Sequence, residues 1–404
     1  MTPTLVYDPT DEAIRRNPFP LYEALQEHDP IHWSQAIRSW IITRYDDVRQ
    51  VALSPTMSSD RLRPFYEAQR DDRREILSGV MRYLNEWLVF KAPPEHTRLR
   101  KMMNGVFSMP MVQSLAPQIR RTVDGLYAEL PHGQPFDFMQ EVAVLLPAYV
   151  ILDMMGVPRA DFRMIKEWSD DLRLFIGTSR ADEDKYRKAR SGADQMSAYF
   201  RSLIAQRRSQ LSDDVISKML LAQDDRGGLS EDELIAMCML VLFGGHETTT
   251  NLLGSAVVAM LEYPEQQQLL RDKPELIDSA VEEFLRYDGP SNSIARVVAV
   301  DHELHGKALR AGDRVFAMIN AANRDPRRFE RPHVLDIERS PNRHLTFGQG
   351  LHFCLGAPLA RLEAKVCLGA LVSGFSSMRL GPGDVHWIDA LVMRGPSSLP
   401  LVLQ

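Results

Sequence analysis

The stretch that decides the fold is Phe347–Gly356, which reads FGQGLHFCLG. It places Cys354 in a loop with three glycines, just before a helix that we predict over 357–372. Free backbone N–H groups at the start of a helix stabilise a thiolate, the form of cysteine that ligates iron. An isolated cysteine is more often a small buried apolar residue. That alternative does not explain the glycines or the nearby Phe347 and His352.

A second stretch, FGGHETT at 243–249, lies inside the longest predicted helix, which spans 229–263. Ser230 and Glu233 form a capping box at the start of this helix. The ten apolar residues of 234–243 leave no polar face, so the helix is expected to run through the core. Two glycines inside a helix cost about 1 kcal/mol each relative to alanine, which indicates a local need for space or distortion.

An acid and a hydroxyl, Glu247 and Thr248, follow these glycines directly. Such a pair can deliver protons inside a dry pocket. The alternative for Thr248 is a hydrogen bond to the carbonyl four residues earlier, or an outward orientation. Two competing motifs are incomplete. The zinc motif HExxH fails because position 250 is Thr250, and the dinucleotide motif GxGxxG fails because position 353 is Phe353.

The cysteine loop resembles the FGxGxHxCxG haem-binding loop of the cytochrome P-450 family, and every fixed position matches. The FGGHETT stretch resembles the family's (A/G)Gx(D/E)T(T/S) motif. The resemblance implies that Cys354 ligates the haem iron, that Phe347 packs beside the thiolate, and that His352 contacts a haem propionate. It also implies that Thr248 is the oxygen-activating hydroxyl and Glu247 the acid of a proton relay.

Further cations match positions where the family holds the two haem propionates. The segment PPEHTRLRK places His96 and Arg100 on one helical face, and it is similar to the family's HxxxR segment. Arg296, in SIARVV, matches another arginine of this kind. Taken singly, each of the three is equally well read as a surface cation.

A structural ion pair is also expected. Glu283 and Arg286 resemble the family's ExxR motif, and Arg339 stands where the family often supplies a third partner. If exposed, such a pair would contribute well under about 1 kcal/mol.

The composition excludes some classes of function. The chain has 404 residues, a formal net charge of −6 and three cysteines. The charge argues against general nucleic-acid binding, and the sparse cysteines exclude a disulfide framework. With no apolar signal core and no apolar run near the roughly 20 residues of a membrane span, we expect a cytoplasmic protein with no membrane or nucleic-acid partner.

The predicted fold class is mainly α with a minor β region, a single cytochrome P-450 domain over residues 1–404. We predict strand-rich parts at about 30–60, 290–320 and 380–404, and helical parts at about 95–285 and 357–372.

The resemblance implies a haem-thiolate monooxygenase of the soluble bacterial class. Its cofactor would be haem b, and O₂ and a small apolar organic substrate would be its reactants. Because the chain has no flavin or nicotinamide motif, electrons would come from a separate ferredoxin or flavodoxin with its reductase. A peroxide-driven or rearranging haem-thiolate enzyme is the main alternative, and a non-enzymatic haem sensor is a further one. Retention of Glu247 and Thr248 favours the O₂ route.

The sequence also suggests surfaces for the partner and the substrate. Four cations were candidates for a docking face: Arg98, Lys101, Arg361 and Lys365. Expected pocket segments are 60–90, 168–180, 240–248, 290–296 and 390–395. Their apolar members are Phe65, Tyr83, Trp87, Leu88, Leu240, Phe243, Ile294 and Met393. The arginines at 61, 63, 70, 73 and 74 raised the alternative of an acidic substrate.

Overall fold

A computed structural model describes residues 5–177, 182–224 and 227–404. Helices predominate, which confirms the predicted fold class. Their bounds are α1 Glu12–Arg16, α2 Phe19–His28, α3 Tyr45–Leu53, α4 Leu62–Glu67, α5 Asp71–Leu84, α6 Glu95–Val106, α7 Met109–Ser114, α8 Ala116–Ala128, α9 Leu145–Met154, α10 Phe162–Ile176, α11 Lys185–Ser209, α12 Val215–Leu221, α13 Glu231–Glu262, α14 Pro264–Asp272, α15 Ile277–Tyr287, α16 Ile319–Ala322 and α17 Ala357–Gly374. Short 3-10 turns lie at Leu88–Phe90, Arg159–Asp161, Pro274–Leu276 and Gly350–His352, and a π-helical turn at Met139–Ala143.

The strands are short and concentrate in the predicted regions. They are β1 Ile31–Ser34, β2 Ser39–Ile42, β3 Met57–Ser58, β4 Phe136–Asp137, β5 Gln223–Asp224, β6 Gly227–Gly228, β7 Ser293–Val298, β8 His302–Leu304, β9 Lys307–Leu309, β10 Arg314–Met318, β11 Met378–Leu380, β12 His386–Trp387, β13 Pro396–Ser398 and β14 Pro400–Leu403. The largest sheet has the order β1-β2-β10-β7-β3. Strand β10 is parallel to β2 and antiparallel to β7, with Val315 opposite Arg296.

Contacts group the chain into two compact units. Unit 1 comprises Met1–Met57, Leu115–Pro147 and Glu247–Gln404. Unit 2 comprises Ser58–Ser114 and Ala148–His246. The assignment of residues 1–404 to one domain therefore stays a prediction.

Unit 1 holds the five-stranded sheet and the cysteine loop. Successive residues of a strand face opposite sides of the sheet. One of the two sets of apolar side chains therefore points into a buried core. Ile42, Val315 and Ala317 are fully buried in this core, with Val48 of α3 packed against them.

Unit 2 is helical around α10 and α11, which pack along each other. Trp168 of α10 and Tyr199 of α11 form a ring contact with centroids 5.9 Å apart. The buried surface of these two rings stabilises the contact between the two helices.

The long helix α13 matches its prediction closely. It spans Glu231–Glu262 against the expected 229–263. The backbone N–H of Ser230 donates to the Glu233 carboxylate at 2.8 Å, and that of Glu233 donates to the Ser230 hydroxyl at 3.2 Å. This reciprocal pair confirms the capping box. Among the described residues, no helix combines the length and the apolar character needed to cross a membrane.

Candidate active site

The cysteine loop is folded back on itself by its glycines. Gly348 and Gly350 have φ values of +70° and +66°, a region that side chains with Cβ rarely adopt. The turn lets the backbone N–H of Cys354 donate to the carbonyl of Phe347 at 2.8 Å. Helix α17 begins three residues later at Ala357. The loop therefore holds Cys354 at a fixed point just before a helix.

Exposure separates the three cysteines. Cys354 is exposed, whereas Cys238 and Cys367 are buried. Burial raises the pKa of the Cys238 thiol well above its usual range and that of Cys367 to about 12. Because only a thiolate ligates iron strongly, the two buried thiols are unsuited to that role. Cys354 is the one exposed thiol among the three.

Phe347 is held by a charged network that the sequence analysis missed. The His344 ring lies 5.9 Å from the Phe347 ring, and the Arg361 guanidinium lies 4.4 Å from it. Glu282 binds both neighbours, accepting from Arg361 at 2.6 and 2.8 Å and facing His344 Nε2 at 3.1 Å. Burial alone would raise the pKa of Glu282, but these hydrogen bonds lower it to about 2. The residues lie far apart in sequence, so no local signal marks them.

The ExxR pair is completely buried. Arg286 donates to both oxygens of Glu283 at 2.7 Å, and both side chains are 0% exposed. Arg339 adds a third contact to Glu283 at 3.1 Å, as expected, and Asn342 donates to it at 3.0 Å. Loss of one partner would leave a buried charge unpaired, so this cluster matters far more than an exposed pair.

Arg296 is a buried cation, and no carboxylate in the described part of the chain forms an ion pair with it. It lies on β7, and its one hydrogen bond among the described residues goes to the carbonyl of the adjacent Ala295 at 2.9 Å. Burial lowers its pKa to about 10. Native proteins seldom bury a charge without a counter-charge. This guanidinium therefore fits an anionic group that the chain itself does not supply.

The other predicted propionate contacts lie in two places. His352 ends the 3-10 turn of the cysteine loop in unit 1 and is half-buried. His96 and Arg100 lie one turn apart on α6 in unit 2, where His96 is buried. Burial and then the charge of Arg100 lower the pKa of His96. Arg100 also donates to Asn104 at 3.1 Å.

The middle of α13 has one accessible stripe on an otherwise buried helix. Leu240, Gly244 and Thr248 are at least partly exposed at a spacing of four residues, which places them on one face. A Cβ at Gly244 would meet open space, whereas one at Gly245 would lie 2.4 Å from Ile151. The two glycines therefore do different things: Gly244 keeps the stripe open, and Gly245 allows close packing.

Two buried acids are relevant to this part of α13: one lies on α13 itself and the other on α17. Glu247 is buried beside Thr248 in the sequence. Glu363 of α17 is a second buried carboxyl, which the sequence analysis did not single out. Burial raises its pKa to about 8. The sequence signal for Glu363 is that it is the single acidic residue of α17, where most neighbours are apolar.

A family profile described as Cytochrome P450 matches residues 39–389. The chain belongs to the cytochrome P450 family. Over 96% of its length and 94% of the relative, it is 37% identical to a vitamin D(3) 25-hydroxylase of Pseudonocardia autotrophica. The crystal structure of CalO2 superposes with a TM-score of 0.91 at 34% identity, covering 99% of both chains.

A further cytochrome P450, P450BioI in complex with an acyl carrier protein ligated to hexadec-9Z-enoic acid, has a TM-score of 0.90 at 33% identity. That comparison covers 97% of this chain and 99% of the other. The named relatives include monooxygenases and hydroxylases, so the chain is an oxidoreductase with a general monooxygenase role. The family implies a haem cofactor, O₂ and a redox partner.

The residues present fit a haem. An exposed thiol on a rigid loop supplies the donor that iron prefers, and Arg296 supplies a buried cation for a carboxylate. The chemistry of both groups matches an iron porphyrin with acidic side chains.

The docking face predicted from the sequence stays a prediction, but three of its four cations have ion-pair partners within the protein. Arg98 pairs with Glu95 at 3.1 Å and with Glu233. Arg361 pairs with Glu282 at 2.6 Å, and Lys365 pairs with Asp278 at 2.8 Å. Of the four, only Lys101 is exposed without an ion pair among the described residues.

The five arginines of the arginine-rich stretch all have partners within the protein, and the alternative of an acidic substrate stays untested. Three of its five arginines pair with neighbouring aspartates, as Arg63–Asp60, Arg70–Asp72 and Arg74–Asp71. Arg61 and Arg73 instead stack over the rings of Phe90 and Tyr186.

Most of the predicted pocket side chains are buried. The buried members are Tyr83, Trp87, Leu88, Phe243 and Met393, and the half-buried ones are Phe65, Leu240 and Ile294. Of segment 168–180, positions 178–180 lie outside the described residues.

Proposed function

We propose that this cytochrome P450 is a cytoplasmic haem b monooxygenase. It inserts one atom of O₂ into an apolar organic molecule and takes two electrons from a separate ferredoxin or flavodoxin. The observation that carries the proposal is the exposed Cys354, fixed by its backbone hydrogen bond to Phe347 at 2.8 Å. The relatives named for vitamin D(3) and for a fatty acyl group support an apolar substrate.

Six residues would hold the cofactor. Cys354 provides the sulfur that ligates the iron, and Phe347 shields that sulfur on one side. The guanidiniums of Arg296 and Arg100 and the imidazoles of His352 and His96 would bind the propionates, because hydrogen bonds to a charged group are the strong ones. The bound haem supplies the redox chemistry that activates O₂.

The proton chemistry falls to two residues of α13. Thr248 lies on the accessible stripe, where its hydroxyl would hold a water or a reacting oxygen by a hydrogen bond. Glu247 is buried next to it and passes protons towards that hydroxyl. Because Gly244 keeps the same face open, the hydroxyl remains reachable.

The electron carrier would dock at an apolar patch around the cysteine loop. Leu53, Leu351 and Phe353 are exposed by 47%, 56% and 42%, and α3 contacts the Gly350–His352 turn. Exposed apolar groups clustered around a functional residue mark an interaction site. The patch includes Leu351 and Phe353, which lie within three residues of Cys354 in the sequence.

Three arginines give this patch its charge. Arg49, Arg328 and Arg343 are exposed, and none has an ion pair among the described residues. Arg49 donates to Gln349 of the loop at 3.0 Å, while Arg328 stacks over Tyr45, whose hydroxyl donates to the Arg343 carbonyl. A positive rim around an apolar centre suits an acidic carrier protein. This surface is an alternative to the docking face predicted from the sequence.

Turnover tests the proposal directly. The purified protein is screened with apolar compounds for a low-to-high-spin shift, and the best binder is incubated with O₂, NADPH, ferredoxin and reductase. We expect a product that carries one ¹⁸O atom from ¹⁸O₂. Product from peroxide alone would favour a peroxygenase, and spin shifts without any product would favour a sensor.

A further inference from the structure

Trp87 has a buried polar group without an acceptor. Its indole is 1% exposed, and no residue that the structure describes accepts a hydrogen bond from its Nε1–H. The residue lies in unit 2, between the end of α5 and the Leu88–Phe90 turn. Buried tryptophan N–H groups usually find a partner, because an unsatisfied donor loses its hydration without compensation.

The surroundings of Trp87 explain why the chain offers no acceptor. Its ring stacks on Phe90 at 6.2 Å with an interplanar angle of 10°, and it contacts Phe243 at 5.5 Å. Both neighbours are buried hydrocarbon rings. Phe243 directly precedes Gly244, where the accessible stripe of α13 opens. The donor therefore lies among apolar rings, one of which belongs to α13 directly before the accessible Gly244.

We propose that Trp87 is a specificity-determining residue, and that its Nε1–H binds a neutral carbonyl oxygen of an otherwise apolar substrate. This inference rests on the proposed function, since it names the substrate class of the same enzyme. A bound carbonyl would satisfy the donor, whereas a pure hydrocarbon would leave it unsatisfied. Sites built around a buried donor discriminate strongly against analogues that lack the matching group.

A neutral oxygen fits better than a carboxylate. The donor is uncharged, and the rings around it would not compensate a buried negative charge. One described cation beside Phe90, Arg61, has its guanidinium 5.1 Å from the centre of the Phe90 ring and donates to the Ile176 carbonyl at 3.3 Å. It therefore serves the protein backbone rather than Trp87.

Binding of matched ligand pairs tests the inference. Spin-shift titrations compare testosterone with its analogue lacking the 3-keto oxygen, and 2-tridecanone with tridecane. We expect at least one ketone to bind about tenfold more tightly than its partner, as a buried hydrogen bond allows. In Trp87→Phe this preference should fall to about onefold while the hydrocarbon affinity stays unchanged. A preference that survives the substitution, or a panel in which no ketone is preferred, would overturn the inference.

Stability and haem content provide readouts that do not depend on turnover. Trp40 is the matched control, because its Nε1–H donates to Asp313 at 2.9 Å. Trp40→Phe should lower the melting temperature by a few degrees, whereas Trp87→Phe should leave it unchanged or raise it. If Trp87→Phe instead loses haem, the N–H serves the cofactor and the inference is wrong. Failure of O₂-dependent turnover in the wild type, with the ketone preference intact, would count against the proposed function alone.

Discussion

Arg286 donates to both carboxyl oxygens of Glu283 at 2.7 Å, and neither side chain has any solvent exposure. Arg286 also donates to the carbonyls of Asn323, Pro332 and Val334 at 3.0, 2.8 and 3.1 Å. The pair therefore joins α15 to the irregular chain that leads towards the cysteine loop. Its burial makes it a structural element rather than a surface ion pair.

Removing one partner of this pair should destabilise the protein strongly. Glu283→Gln leaves the buried guanidiniums of Arg286 and Arg339 without a counter-charge, so we expect a loss of about 3–5 kcal/mol in the free energy of unfolding. Urea unfolding followed by circular dichroism measures it. The control is Asp278→Asn, which breaks the exposed pair with Lys365 and should cost less than about 1 kcal/mol. Equal losses in the two variants would contradict the account.

The ion-pair network around Phe347 should make the free energy of unfolding depend on pH in the acidic range. Glu282 has a pKa of about 2 in the folded protein, below its value of 4.5 in a free chain. Its contribution is therefore present above pH 4.5 and is lost as the pH falls towards 2. Glu282→Gln should lose on the order of 2 kcal/mol at pH 7 and less at pH 3.5. A deficit that does not shrink between these two pH values would exclude this role.

Glu363 should produce the opposite pH dependence. Its pKa of about 8 exceeds the ordinary 4.5, so the folded protein keeps a proton that the unfolded chain releases. Stability is therefore greatest below pH 4.5 and falls as the pH rises through 8. Relative to wild type, Glu363→Gln should gain on the order of 3 kcal/mol between pH 5 and pH 9. The control, Glu265→Gln on the exposed side of α14, should show no such trend.

Thr248 should control how efficiently electrons are used. Thr248→Ala should keep haem and substrate binding but release reducing equivalents as peroxide, because the hydroxyl that guides proton delivery is gone. Product formed per NADPH and peroxide released are measured together. Thr248→Ser keeps the hydroxyl and should stay coupled. Full coupling in the alanine variant would remove Thr248 from the mechanism.

Local signals in the sequence predicted several elements closely. The capping box of Ser230 and Glu233 depends on residues three positions apart, and it appears with both hydrogen bonds. The glycines of the cysteine loop imposed their own backbone geometry, so the turn before α17 was predictable as well. In each case a few neighbouring residues determine the conformation.

Interactions between distant segments were not predictable. Arg98 pairs with Glu233, which lies 135 positions later, so a cation expected at a docking face is instead neutralised within unit 2. The link from Glu282 to Arg361 spans 79 positions, and the burial of Glu363 depends on the packing of α17. Periodicity within one helix reveals which face is apolar, but it does not reveal which charge lies opposite.

The central claim is that the sulfur of Cys354 ligates the haem iron. The most direct measurement is the absorption spectrum of the ferrous carbonyl adduct of the intact wild-type protein, recorded beside that of Cys354→Ser. The account predicts a thiolate-type spectrum in the wild type that disappears in the variant, while circular dichroism shows the same helical content in both. An imidazole-type spectrum in the wild type, or a thiolate-type spectrum that persists in Cys354→Ser, would contradict it.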